Sequence, residues 1–106
     1  MRRGSIWTVH EDGGAVLHLR GEVDDIAVSE YEAAARTSGG SGAHRGVVVA
    51  VEASAVTFMN AAALRFVLRE TAPLVSTGRR PVLRRPSRPV RLVLELADLS
   101  DVFTWQ

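Results

Sequence analysis

Two short runs rich in strand-forming residues open the chain, "SIWTVH" (5–10) and "AVLHLR" (15–20). The "EDGG" between them is a turn signal, so the pair predicts a β-hairpin. "GEVDD" (21–25) reads as a loop whose carboxylates suit helix capping. In "IAVSEYEAAAR" (26–36), Ala27, Val28, Tyr31, Ala34 and Ala35 recur at helical spacing and predict a first amphipathic helix. "TSGGSGAHRG" (37–46) has the composition of a flexible connection. "VVVAV" (47–51) shows no alternation and is β-branched, which fits a strand buried on both faces. A second extended piece, "AVTFM" (55–59), leads to Asn60.

Asn60 is a good N-cap, and Leu64, Val67, Leu68 and Thr71 follow at i, i+3, i+4 and i+7. Pro73 is expected to end or kink this second helix near Ala72, because it lacks an amide hydrogen and crowds the preceding turn. "PVLRR" (81–85) is a weak strand, and its Pro81 and arginines predict an edge or a strand end. Ser87 can cap a third helix with Pro89 in its first turn, and Val90, Val93, Leu94 and Ala97 mark its buried stripe. Asp98 is expected to end it, since Asp tolerates the left-handed conformation. "VFTWQ" (102–106) closes the chain as a short strand or a packed tail. The order β-β-α-β-α-β-α, with or without a last strand, predicts an α/β fold with a mixed sheet and right-handed crossovers.

Composition narrows the class. The 106 residues suit one domain, 1–106, and 46% hydrophobic content is enough for a core. The chain has no cysteine, which excludes disulfides, cysteine zinc sites and thiol catalysis. No run of 18 apolar residues occurs, so no membrane span is expected. Nothing at the amino terminus resembles a secretory signal, and a cytoplasmic location is the expectation. Net charge is +1, and all thirteen basic residues are Arg. Residues 1–53 hold five Arg and eight acidic residues; residues 54–106 hold eight Arg and four acidic ones. Six Arg (79, 80, 84, 85, 88, 91) fall within thirteen residues.

Three segments resemble STAS domains, the anti-sigma factor antagonists and their relatives. "LRGEVDDIAVSEYEAAAR" is similar to their "L-x-G-E-[LIV]-D" segment and first helix. "GVVVAVEASAVTFMNAAALRFVL" resembles their central strand and the "V-T-[FY]-[ML]-D-S-[ST]-G-L" element that opens the second helix. "PSRPVRLVLELADLSDVF" resembles their final helix and its "L-E-L-T-G-L-x-x-[VL]-F" ending. The likeness spans about residues 5–104. It implies a STAS-type mixed β-sheet with three main helices packed largely on one face.

By that resemblance, Asn60, Ala61, Ala62 and Ala63 stand where the family has Asp-Ser-Ser/Thr-Gly, and Ala61 occupies the phosphoserine position. Glu52 corresponds to the acidic residue at the end of the buried strand, and Asp24 to the Asp of the "G-E-x-D" loop. In the family a partner kinase phosphorylates the serine and so releases the antagonist from its anti-sigma factor. A phosphate there faces free amides and the positive end of the helix dipole, yet adds negative charge to a contact surface. Ala61 has no hydroxyl, so no phosphorylation is expected at that position. The Gly→Ala replacement at 63 favours a helix by about 0.5–1 kcal/mol. The resemblance therefore implies a non-enzymatic interaction domain that binds an anti-sigma factor of serine-kinase type, or a related regulator. The implied partner-binding residues are Glu22, Asp24, Met59, Asn60, Ala61, Ala62, Ala63 and Leu64. The alternative is a scaffold or ligand-sensing STAS module. In it, a Met59–Ala61–Ala62 surface takes a nucleotide, a lipid-like ligand or a second copy of the chain.

The remaining constellations are weaker. His10 and His18 flank the predicted hairpin in an unknown register, and no metal site or cofactor is expected. Glu22, Asp24 and Asp25 serve a partner or simply cap the first helix. The Arg cluster lacks interleaved aromatics and a helix-turn-helix, so no direct nucleic-acid binding is expected; a solvated edge and steering toward an acidic partner both fit it. "SGGSG" lacks phosphate-loop spacing. Ser54 and Thr57 are the nearby hydroxyls that could replace the missing serine. No nucleophile–base pairing points to an enzyme.

Overall fold

The computed structural model describes residues 3–37 and 46–106. Its elements are β1 Ser5–Glu11, β2 Gly14–Val23, α1 Asp25–Thr37, β3 Val48–Met59, α2 Ala61–Val75, β4 Val82–Arg84, α3 Arg88–Leu96, a 3-10 turn Ser100–Val102 and β5 Thr104–Trp105. The glycine-rich segment 38–45 lies outside the described residues. The predicted hairpin is present, with Ser5 opposite Arg20 and Glu11 opposite Gly14. Gly14 has φ +149, and a Cβ there would lie 2.6 Å from the Val47 carbonyl oxygen, so this position favours glycine.

The sheet order is β1-β2-β3-β4-β5. Only β1 is antiparallel; β2, β3, β4 and β5 run parallel. Alternation sorts the strand residues into two faces. Leu17, Leu19, Val51, Ala53 and Leu83 point into one apolar cluster with Val28 of α1, Phe66 and Val67 of α2, and Val90 and Leu94 of α3. All three helices therefore cover the same face. Phe66 is fully buried and meets Tyr31 edge-on, with ring centroids 5.5 Å apart. Burial pushes the Tyr31 phenol above its ordinary pKa; a hydrogen bond with Thr8 opposes the shift and the Glu70 charge adds to it.

Several boundaries differ from expectation. Gly21–Val23 belong to β2 and not to a loop, because they pair with Val56–Met59. The two extended pieces around 47–59 form one strand, β3. Pro73 does not end α2, which continues to Val75. The proline is exposed and lies in the last turn, so its missing amide removes one hydrogen bond close to where the helix stops in any case. Of the two readings of β4, the strand end holds, since Pro81 and Arg85 flank Val82–Arg84, and the edge does not: β5 pairs with it, and the Thr104 amide donates to the Pro81 carbonyl at 2.9 Å. Asp98 does take the left-handed conformation, with φ 60. No described helix is long and apolar enough to cross a membrane.

Candidate functional site

β4 reaches only Ala50–Glu52 of β3, so the last turns of β3 pair with β2 alone. This two-stranded arm carries the starts of α1 and α2 to the same end of the molecule. Asp24 Oδ1 accepts a hydrogen bond from the Ala27 amide at 3.0 Å and caps α1. Asn60 Oδ1 accepts one from the Ala63 amide at 3.0 Å and caps α2. The Asn60 amide donates to the Val23 carbonyl at 3.3 Å, fastening the second cap to the end of β2. Two positive helix ends thus sit side by side.

The expected partner-binding residues gather there, but they do not all face outward. Ala61 is exposed, and Glu22, Asp24, Asn60 and Ala62 are partly exposed. Met59, Ala63 and Leu64 are buried in the core cluster, at 6%, 0% and 9% exposure. The expected Met59–Ala61–Ala62 surface is corrected on this point: Met59 follows the inward face of β3, so its side chain supports the site from beneath. The sequence reading also missed two apolar residues at this end. Ile26 and Phe58 are both about half exposed, Phe58 lying directly opposite Glu22. For Ile26 the signal was phase, since it falls outside the α1 stripe of Ala27 and Val28; Phe58 gave none, because strict alternation places it with inward Val56 and only the register irregularity opposite Gly21 and Glu22 turns it outward. Glu22, Asp24, Ile26 and Glu30 line a small cleft of about 160 Å³ with Arg3 and Gly4.

Glu52 does not belong to this end. It stands in mid-strand on the face away from the helices, opposite His18 and Arg84. Its Oε1 accepts from the Ser54 amide at 2.9 Å and its Oε2 from Arg85 Nη2 at 2.8 Å. Burial pushes its carboxyl pKa up, but the hydrogen bonds and charge of Arg85 and the bonds from Ser54 outweigh burial and hold it below the ordinary value. Of the Arg cluster, Arg85 pairs with Glu52, and Arg84 pairs with Glu11 at 3.2 Å. The two histidines are separated by the hairpin register: His18 faces Trp7, whereas His10 sits opposite inward-facing Ala15. Among the described residues no group of three His, Cys, Asp or Glu is placed to hold a metal ion.

The fold defines a class. A mixed five-stranded sheet with three helices on one face and a capped helix leaving the long central strand is the STAS fold of anti-sigma factor antagonists. Two solved structures carry that likeness. One is the anti-sigma factor antagonist SpoIIAA in its unphosphorylated form, with a TM-score of 0.67, 23% identity, and coverage of 96% of this chain and 88% of that one. The other is the Bacillus cell fate determinant SpoIIAA in the phosphorylated form, with a TM-score of 0.60, 23% identity, and coverage of 96% and 91%. No family model and no curated protein matches the sequence.

Proposed function

We propose that this chain is a non-enzymatic interaction domain that docks on a regulatory protein of the serine-kinase anti-sigma type and lacks the phosphoserine switch. The observation that carries this reading is Ala61, exposed at the first position of a capped α2, beside the cap of α1. A methyl group there accepts no phosphoryl group, while exposed apolar and partly exposed acidic side chains lie at the same end. Ala61 and Ala62 with Ile26 and Phe58 supply apolar contact; Glu22 and Asp24 supply charge at the rim. With no switch, occupancy is set by the concentrations of the chain and its partner.

Calorimetry with a purified serine-kinase anti-sigma factor tests the proposal. The expected result is a saturable complex that Ala62→Arg abolishes without altering the circular dichroism of the chain. Absence of a complex with folded wild-type chain overturns the docking reading. Transfer of phosphate from ATP to Ser54 or Thr57, with release of the complex, overturns the missing switch.

A further inference from the structure

The sheet face opposite the helices holds a groove of about 400 Å³ that the docking end does not use. One wall is aromatic. Trp7 and His18 are directly paired across the hairpin, and their rings stack with centroids 5.1 Å apart at 11°. Trp7 remains 40% exposed although His18 covers one of its ring faces, so the stacked pair forms a pre-placed aromatic wall against which a further planar group can pack.

The other walls are cationic. Arg20 is exposed and has no ion pair among the described residues. The Arg85 side chain is 75% exposed even though it pairs with Glu52. Arg85 also has φ 43, a left-handed conformation that non-glycine residues rarely adopt. Glu52 has both oxygens engaged, one by Ser54 and one by Arg85. It therefore orients the guanidinium and leaves its remaining N–H donors toward the groove. Two guanidiniums against one carboxylate leave a local excess of one positive charge. A carboxylate matches the fork of a guanidinium bidentately. The volume suits a ligand of one or two rings.

We propose that this groove binds a small planar aromatic carboxylate, its ring packed against the Trp7–His18 pair and its carboxylate held by Arg20 and Arg85. This site is independent of the α2 end, and either can fail without the other.

The test is a ¹H–¹⁵N NMR titration of the full chain with indole-3-carboxylate, in parallel with indole-3-carboxamide and cyclohexanecarboxylate. The expected result is saturable shifts of the Trp7 indole N–H and of the Arg20 and Ser54 amides. The uncharged amide and the non-aromatic acid should each bind about tenfold more weakly, because each lacks one of the two recognised features. Arg85→Gln and Arg20→Gln should each weaken binding of the carboxylate by about tenfold. Trp7→Leu keeps apolar bulk on an exposed position and should leave the fold intact while removing the preference for the aromatic acid. Equal binding of all three compounds, unchanged affinity in the double Arg variant, or no saturable shift at millimolar ligand overturns the proposal.

Discussion

The backbone amide of Asn60 donates to the carbonyl of Val23 at 3.3 Å, while the side chain of the same residue caps α2 through the Ala63 amide at 3.0 Å. Asn60 therefore ends one strand pair and starts one helix. Asn60→Ala keeps the first bond and removes the second, so the expected loss is about 1 kcal/mol. For a domain of this size that lowers Tm by roughly 4–8 °C. Asn60→Asp keeps an acceptor and adds negative charge at the positive helix end, so its Tm should equal or exceed that of the wild type. Thermal unfolding followed by circular dichroism at neutral pH checks both, and an unchanged Asn60→Ala would show that the cap contributes nothing.

Neighbouring alanines should respond in opposite ways. Ala61 is exposed, so Ala61→Ser should shift stability by less than about 0.5 kcal/mol. Ala63 is fully buried against the sheet, so Ala63→Val should overpack the core at a loss of about 1–3 kcal/mol. Urea denaturation of the two variants measures the contrast. Similar midpoints would mean that this turn is less tightly packed than its burial implies.

The Glu52–Arg85 pair gives a pH dependence with a definite sign. The folded-state pKa of Glu52 is depressed. Its stabilisation is therefore fully present above the unfolded carboxylate value, about 4.3, and is lost as pH falls through the lower folded value. Glu52→Gln should be less stable than the wild type at pH 7, and the difference should shrink on acidification. The effect is modest because the Arg85 side chain is 75% exposed and solvent screens the pair. Urea midpoints between pH 7 and pH 3 read it; a gap that widens toward acid contradicts the assignment.

Thr71 is a polar side chain fully buried in α2, and its hydroxyl donates to the Val67 carbonyl at 2.9 Å. Thr71→Val keeps the shape and removes the donor. The Val67 carbonyl still accepts the helical amide bond, so the loss should be about 1 kcal/mol. Thr71→Ser keeps the donor but removes a core methyl, with a loss of similar size. If Thr71→Val unfolds the chain, the hydroxyl has a role beyond this bond.

Much of the fold was legible from local rules. The hairpin, the three helices, the Asn60 cap and the left-handed Asp98 all follow from spacings of a few residues, where period, cap chemistry and turn preference act. The gathering of Glu22, Asp24 and Asn60–Ala62 at one end followed only from the resemblance, because strand pairing joins positions far apart in the chain. The burial of Met59 depended on its register against Val23, which no local pattern specifies. β4 looked like an edge because its flanking residues are proline and arginine, yet β5 completes the sheet beside it. The same holds for the open face: Glu52 and Arg85 are 33 positions apart, and Trp7 meets His18 through the hairpin register. Local spacing decided which segments are helix or strand and where they are capped. Long-range pairing decided which side chains share a face, since every shift by one residue moves a strand's side chains to the other side of the sheet.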